Sequence, residues 1–304
     1  MSSIRSLIRE MTQQAMAPIS GQATIVGVKE IAPSYVRVTL TAPELVAYSP
    51  TLPADAIKLA IPGREGNMLL RAMTVANRPS PETIEVDILR HSGGMMKHWL
   101  SEVKPGNRTE IHAVRREFAI GDGIDDHLLV ADASALPAIA TILRAIPSTH
   151  RVNALLQVHN ADDVTALLPK HPGLQLALRV GTAWTPQELR EGLSSTFAGS
   201  TVERRVQIWI AAETANVAMA RRCLTDSGHE RDHLFAAAYW KKGRDSTSRD
   251  ERIQQAYFAA MQQKADLTDP DTRVDVELLA DAAEEPALAV QGMGQMSIKP
   301  WRNE

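Results

Sequence analysis

The spacing of apolar residues changes near residue 121, and this change constrains the fold more than any other feature of the 304-residue sequence. Before it, short apolar runs alternate with polar residues, as Val36 and Val38 do around Arg37 and Thr39. Period-two alternation predicts half-buried antiparallel strands. After it, short apolar runs alternate with helical patterns, which predicts a parallel sheet with helices. The sequence therefore predicts two domains of different architecture.

Six short strands are predicted in the first domain, at 23–28, 35–40, 57–61, 69–75, 84–89 and 109–114. Short strands separated by turns that contain Pro and Gly favour a small antiparallel barrel of the Greek-key type. One helix interrupts them after Gly93-Gly94, because Met95, Met96 and Trp99 share one helix face.

The second domain alternates predicted strands at 128–131, 152–158, 174–180, 206–212 and 234–239 with predicted helices at 134–145, 161–168, 186–193 and 215–224. This order predicts a parallel sheet that is covered by helices on both faces. Ser/Thr followed by acidic residues predicts a further helix at 247–264. The chain after Leu267 has no clear period, and we expect it to be partly disordered or to pack as an extension.

Four segments are therefore predicted: an amphipathic N-terminal helix in 1–19, a β-barrel domain in 20–120, an α/β domain in 121–245, and a C-terminal helix and extension in 246–304. These assignments follow from apolar periodicity.

Composition excludes several classes of function. The formal net charge of −3 gives no broad attraction to nucleic acid or to anionic lipid. Cys223 is the only cysteine, so neither a disulfide nor a multi-cysteine cluster is available, and we expect it to be buried and structural. The sequence has no long apolar stretch, which predicts a cytoplasmic chain with no membrane span, and we expect no tightly held metal.

The first motif is Arg71-Ala72-Met73-Thr74-Val75, which resembles the Arg-x-Tyr-Thr/Ser flavin signature of ferredoxin-reductase-like proteins. An arginine and a hydroxyl on one strand can hydrogen-bond the phosphate and ribityl groups of a flavin. The resemblance implies that Arg71, Met73 and Thr74 contact the cofactor. Met73 stands in place of the usual tyrosine, and the family's second arginine is displaced to Arg78.

The second motif is His91-Ser92-Gly93-Gly94-Met95, which is similar to a family segment where His precedes a Gly-Pro-Ala helix start. A helix that opens with glycine offers backbone N–H groups and a positive dipole end to a pyrophosphate. The resemblance implies cofactor contacts at His91, Gly93, Gly94 and Met95. The alternative is a turn followed by a helix whose Met/Trp stripe is core.

The third motif runs from Leu128 to Ile139 and resembles the strand of siderophore-interacting proteins that ends in Gly-Asp-Glu-Thr-Ala-Leu-Pro-Ala-Ile. Doubly wound sheets bind nucleotides where a strand ends and a helix begins. The resemblance implies cofactor contacts at Asp132 and Ser134. Ala131 and Ala133 stand where Gly and Glu are usual.

Two later segments continue the resemblance in the same order: Trp209 to Glu213 resembles an Ala-Gly-Glu strand end, and Ala238 to Gly243 resembles a Tyr-Trp-x-x-Gly terminus. The five segments span residues 20–245 and resemble the siderophore-interacting protein family, FAD-containing reductases of ferric siderophores. The resemblance implies that 20–120 is a flavin-binding β-barrel domain and that 121–245 is an NAD(P)-binding-like, nucleotide-binding α/β domain. It also implies FAD as cofactor, NADPH or NADH as electron donor, and an anionic ferric siderophore or other ferric chelate as substrate.

The resemblance also implies a basic patch that holds the anionic chelate. The cations that match the family's positions are Lys58, Arg115 or Arg116, and Lys241 or Lys242. Two alternatives remain open: a flavin-poor or non-catalytic binding protein on the same fold, and a flavin reductase of another small acceptor. A monomer and a homodimer are both compatible with the sequence.

Overall fold

The computed structural model describes residues 4–13, 19–63, 68–91, 93–182, 184–197, 205–242, 246–267 and 270–282. The first domain consists of the strands β1 (Ser20–Ala32), β2 (Tyr35–Thr41), β3 (Ala56–Pro62), β4 (Met68–Ser80), β5 (Thr83–Leu89) and β6 (Arg108–Arg115), with helix α2 (Gly94–Glu102). The strands close an antiparallel barrel in the order β1-β2-β5-β4-β3-β6. The predicted barrel is confirmed.

Period-two alternation positions the side chains of the barrel. In β2, Val36, Val38 and Leu40 are buried in the barrel core. Helix α2 adds Met96 and Trp99 to the same core, so its apolar stripe packs against the barrel. Burial of large apolar side chains on this scale, at about 25 cal/mol per Å², is the main stabilising contribution to such a domain.

The second domain consists of the strands β7 (Asp126–Asp132), β8 (Arg151–Val158), β9 (Leu174–Val180), β10 (Val206–Glu213) and β11 (Leu234–Trp240), with helices α3 (Leu136–Ala145), α4 (Ala161–Leu167), α5 (Pro186–Phe197) and α6 (Thr214–Asp226). All five strands are parallel, in the order β11-β10-β7-β8-β9. Leu129 of β7 belongs to one core cluster and Leu128 to another, because successive side chains point to opposite faces. The predicted parallel sheet is confirmed.

The outer strand β9 departs from the prediction that helices cover both faces of the sheet. Leu176, Leu178 and Val180 are 37%, 38% and 51% exposed. The described helices therefore leave β9 largely open. Apolar periodicity predicted the strand correctly but does not report its position in the sheet.

Three helices flank the two domains: α1 (Ile4–Gln13), α7 (Ser246–Gln262) and α8 (Pro270–Ala282). The amphipathic helix predicted near the N-terminus is present, and Ile4 and Ile8 are buried in the core shared by both domains. The tail after Leu267 was expected to be partly disordered or to pack as an extension, and residues 270–282 do pack against the α/β domain. There α8 forms, and its Asp281 is buried and accepts a hydrogen bond from Thr214 Oγ1 at 2.6 Å.

Direct hydrogen bonds join the barrel to the α/β domain. Tyr35 Oη donates to the carbonyl of Ala133. The backbone N–H of Ala54 donates to Thr141 Oγ1 at 2.8 Å. Arg144 on α3 donates to the carbonyl of Ala76 on β4 at 2.8 Å. These contacts hold α3 and the residue Ala133 before it against the barrel, and the contact at the end of α3 reaches the middle of β4.

Candidate functional site

Among the described strands, the first half of β4 pairs with β3 but not with β5. It pairs with β3 from Met68 to Thr74, but its pairing with β5 begins only at Val75, opposite Val86. Among the described residues, the stretch Met68–Thr74 therefore has no strand on the β5 side. Unpaired backbone N–H and C=O groups need other partners. The predicted flavin motif at Arg71 and Thr74 lies on this open edge.

The three predicted side chains of β4 have different surroundings. Thr74 is buried, and its hydroxyl makes no hydrogen bond to any described residue. Arg71 is half-buried and donates a hydrogen bond to the carbonyl of Leu70 at 2.9 Å. Met73 packs against the barrel core. The hydroxyl of Thr74 can therefore contact a ligand, whereas Met73 supports the strand through the core.

The start of α2 is open. Gly93 caps the helix without a side-chain hydrogen bond, and a Cβ atom placed on Gly93 or Gly94 would meet no atom within 4 Å. Gly94 has φ of 85°, a backbone conformation that favours glycine. The first N–H groups of this nine-residue helix therefore face accessible space. Met95 is half-buried against the barrel core.

His91 lies between β5 and α2, close to the carboxyl edge of the parallel sheet. Partial burial and the neighbouring His159 lower its pKa, and Asp132 opposes this effect. A neutral imidazole at this position can donate one hydrogen bond and accept another. The geometry therefore brings the second and third motifs together.

The carboxylate of Asp132, which was predicted to contact the cofactor, is held by four donors of the chain itself. Its Oδ1 accepts from the backbone N–H and the hydroxyl of Ser134, at 2.9 and 2.5 Å. Its Oδ2 accepts from the N–H of Glu213 at 2.8 Å and from Trp240 Nε1 at 2.7 Å. Four donors occupy the lone pairs of the carboxylate. Asp132 ties three strand ends together, and the Ser134 hydroxyl is committed to it.

Three of the five predicted chelate-binding cations also have internal partners. Arg116 is 5% exposed and its guanidinium lies 3.3 Å from Asp55 Oδ2. Arg115 pairs with the buried Glu117. These charges balance buried carboxylates, and the binding of a chelate by Arg115 or Arg116 stays a prediction.

The two C-terminal lysines of the predicted patch differ from each other. Lys241 Nζ donates to the carbonyl of Asp281 on α8. Lys242 is exposed, as is Lys58 on β3. The exposed cations of the predicted patch are therefore Lys58 and Lys242.

A cleft between the domains lies elsewhere. It has a volume of about 350 Å³ and is lined by Arg37, Asn77, Asp87 and Arg144, among others. None of the predicted site residues lines it. Arg37 is already bound by Asp87 through two hydrogen bonds of 2.7 and 2.9 Å. The cleft therefore contributes nothing to the site on β4.

Comparison with known proteins agrees with the sequence motifs. Residues 124–243 match the family model of the siderophore-interacting protein. This part of the chain is similar to that family, in agreement with the resemblance of the three motifs that lie within it, which begin at Leu128, Trp209 and Ala238.

The curated relatives of the chain include proteins named for siderophore import and one named as a reductase. The chain is 29% identical over 236 residues to the mycobactin import ATP-binding/permease protein IrtA of Mycolicibacterium thermoresistibile. The aligned region covers 73% of this chain and 25% of that protein. The chain thus spans about a quarter of that relative's length. It is 24% identical over 244 residues to the ferric vibriobactin reductase ViuB of Vibrio cholerae. That aligned region covers 71% of this chain and 88% of that protein.

Solved structures show the same fold. A siderophore-interacting protein of Acinetobacter baumannii superimposes with a TM-score of 0.69 at 23% identity, over 80% of this chain and 99% of that one. A ferredoxin NADP+ reductase of Neisseria gonorrhoeae, with bound FAD and NADP, superimposes with a TM-score of 0.55 at 15% identity, over 73% of this chain and 99% of that one. Both domains therefore have the ferredoxin-reductase-like architecture.

The motifs did not reveal two buried acidic centres. Asp55 accepts hydrogen bonds from Tyr48 Oη at 2.7 Å and from the N–H of Leu52 at 2.8 Å, and burial raises its pKa to about 6. Glu117 accepts from Tyr239 Oη at 2.5 Å, and burial raises the pKa of that tyrosine well above its usual value. No motif signals the Tyr48–Asp55 pair, although its members are only seven positions apart, and the members of the Tyr239–Glu117 pair are 122 positions apart in the chain.

Other expectations concerned Cys223, Arg78, metals and the membrane. Cys223 is half-buried on α6, not fully buried. Arg78 donates to the carbonyls of Leu45 and Pro81 at 2.8 and 2.9 Å, so it serves the barrel. Within the described ranges, no group of three His, Cys, Asp or Glu side chains is arranged to hold a metal ion. In the same ranges, no helix is long and apolar enough to cross a membrane.

Proposed function

We propose that this chain reduces ferric siderophores, with NADPH or NADH as electron donor and FAD as the bound cofactor. One observation supports this function above all others: β4 presents an unpaired edge at Arg71–Thr74, next to the junction with the α/β domain. A planar heterocycle needs such an edge, because its ring nitrogens and oxygens require backbone donors and acceptors. FAD, when bound, supplies two-electron exchange with the nicotinamide and one-electron transfer to Fe(III).

The residues present fit the cofactor in three places. Thr74 offers an uncommitted hydroxyl on the open edge of β4. Gly93 and Gly94 leave the N-terminus of α2 accessible, as a pyrophosphate requires. Arg71 supplies a cation on the same strand for a charge-assisted hydrogen bond to phosphate. These groups bind and orient the cofactor, and the reaction requires no acid or base from the chain.

The carboxyl edge of the sheet limits where the nicotinamide can bind. The ends of β7, β10 and β11 are joined through Asp132, and α8 packs behind them through Thr214 and Asp281. The end of β8 leads to His159, which is exposed. We therefore place the electron donor at the end of β8, on the side of His91.

A second function is favoured by the positions of Met73 and Asp132. The usual aromatic of the motif is absent, and the carboxylate at the strand end is saturated by four donors. Both features fit a siderophore-binding protein that holds flavin weakly or not at all. The two functions differ in a property that can be seen directly, which is the flavin content.

The test starts from the purified chain and its visible absorbance. About one flavin per chain, retained or taken up on addition of FAD, is expected, together with NADPH- or NADH-dependent release of Fe(II) to a chromophoric ferrous chelator. Replacement Arg71→Ala should weaken FAD retention through loss of a charged hydrogen bond, typically about 1.5–3 kcal/mol or about 10- to 150-fold in Kd.

The matched control is Arg222→Ala, which removes the same charge from the exposed surface of α6. It should leave FAD affinity unchanged. A colourless chain that takes up no FAD but still binds a ferric chelate would transfer the assignment to the binding function. A chain that binds neither FAD nor a ferric chelate would refute both the reductase function and the binding function.

A further inference from the structure

The outer edge of β9 is an interaction surface. The strand is the last in the sheet and pairs only with β8 among the described strands. Protein edges are normally protected by short strands, charges, Pro or a covering element. This seven-residue strand, with the sequence LQLALRV, carries one charge and no proline. An open apolar edge of this length is a template for strand pairing.

The direction of the backbone groups of β9 follows from its two ends. Gly181 N donates to the carbonyl of Val158 at 2.8 Å, and the carbonyl of Gly173 accepts from Val152 N at 2.9 Å. Backbone groups alternate in direction along a parallel strand. Odd-numbered residues therefore point towards β8, and even-numbered residues point to the outer edge. Leu176 and Leu178 combine outward N–H and C=O groups with apolar side chains on one face.

We propose that β9 pairs in antiparallel orientation with β9 of a second copy of this chain, around a two-fold axis at Ala177. In this register Leu176 lies opposite Leu178 of the other copy, and Leu174 lies opposite Val180. All seven residues of the strand overlap. Only even-numbered residues face each other through their outward groups, which gives about eight new backbone hydrogen bonds. The pairing extends each five-stranded sheet across the axis.

The position of the one charged residue of β9 favours this register. Arg179 is the one charged residue of β9, and it comes to lie opposite Gln175. An axis at Arg179 would oppose two guanidinium groups, which is unfavourable on adjacent strands. An axis at Leu178 avoids that opposition but overlaps fewer residues. The longest register is therefore also one without like charges in opposition.

The surroundings of Arg179 keep its charge from obstructing the pairing. Its guanidinium pairs with Glu188 on α5, donates to the carbonyl of Thr182 at 3.0 Å, and lies 5.4 Å from the ring centre of Trp184. The side chain is thus folded back on its own chain. The opposite face of the strand carries the apolar side chains, which pack across the axis as cross-strand pairs.

A second copy is the occupant that this strand fits, because the same residues supply both halves of the contact. An isologous interface requires a self-complementary surface. The apolar pairs of Leu176 with Leu178 and of Leu174 with Val180 meet that requirement. One strand per copy makes a small interface, so we expect association at micromolar concentrations or above, about −8 kcal/mol or weaker.

The experiment measures mass and hydrogen exchange of the full chain over a range of about 1 to 200 µM. The wild type should shift from monomer to dimer mass in sedimentation velocity. The double replacement Leu176→Lys/Leu178→Lys should remain monomeric, because each lysine places a charge on the edge. The control Val46→Lys changes a side chain that is 53% exposed on the barrel, and it should dimerise as the wild type does.

Hydrogen exchange in the wild type tests the register without any replacement. The outward amides of Leu176 and Leu178 should exchange rapidly in dilute samples and at least tenfold more slowly in concentrated ones. The amides of Ala177 and Arg179 should be protected at both concentrations, because they face β8. A monomer throughout the range, or a dimer in which the two leucine amides gain no protection, would overturn the proposal.

Discussion

His127 gives a prediction whose size can be worked out from its surroundings. Its side chain is 1% exposed in β7, and its Nε2 lies 3.1 Å from Nδ1 of His150. The two rings stack at 5.4 Å, and Nδ1 of His127 is buried without a hydrogen-bond partner among the described residues. Burial, followed by the charge of His150, lowers the pKa of His127 from 6.5 to about 4, and Asp126 opposes this effect.

The sign follows from proton linkage. The unfolded chain binds a proton at His127 near pH 6.5, whereas the folded chain binds it only near pH 4. The contribution to stability is therefore complete above about pH 6.5 and is lost as the pH falls through the interval to about 4. At about 1.36 kcal/mol for each tenfold change in proton affinity, the loss reaches roughly 3 kcal/mol.

A second buried group acts in the opposite direction over part of this range. Burial raises the pKa of Asp55 to about 6, so its contribution to stability decreases as the pH rises through that value. The pH dependence of the wild type alone therefore mixes two opposed effects. The difference between wild type and a His127 variant isolates one of them.

The replacement is His127→Phe, which keeps an aromatic ring beside Phe118, whose ring centre lies 6.5 Å away. Urea unfolding at about pH 7.5 and about pH 4.5 should show that the variant gains roughly 2.5 kcal/mol relative to wild type on acidification. His98→Gln, at an exposed position on α2, should show no such gain. If the free energies of unfolding of wild type and His127→Phe differ by the same amount at both pH values, the reasoning is refuted.

Three further outcomes are expected. Gly94→Ala should lower the free energy of unfolding by about 1–2 kcal/mol, measured in urea, because φ is 85° there; no loss would show that the backbone relaxes. Thr214→Val removes the hydrogen bond to Asp281 and should speed amide exchange in α8, while exchange in the barrel stays unchanged; equal rates in α8 would contradict this. Lys58→Ala should weaken binding of an anionic ferric chelate by about two- to fivefold at low salt, and Lys170→Ala should not; equal affinities for the two variants would remove Lys58 from the site.

The architecture could be predicted because each half of the chain has a strong periodic signal. Alternation at period two in Val36 and Val38 requires one buried face, and a barrel provides it. The helix α8 carries no comparable signal, since its Glu277 and Asp281 are buried acids. Their partners Tyr257 and Thr214 lie on other elements, and a hydropathy pattern cannot anticipate such pairing.

The candidate site could be predicted only in part, for a related reason. The backbone conformation of Gly94 follows from residue type, because its φ of 85° favours glycine. The role of a charged side chain depends on tertiary partners. Arg116 looks like a surface cation in the sequence, but its counter-ion Asp55 lies 61 positions away in the chain.

The charge balance of the site has a consequence for substrate binding under the proposed function. Buried carboxylates neutralise Arg115 and Arg116, so these guanidinium groups add little to the outer field. Lys58 is exposed, and its strand neighbour His112 lies 3.1 Å from the Glu110 carboxylate. Each exposed lysine then contributes only about as much as a surface ion pair, at most about 1 kcal/mol. Chelate affinity must therefore come mainly from shape and contact with the cofactor face, and its dependence on salt should be shallow.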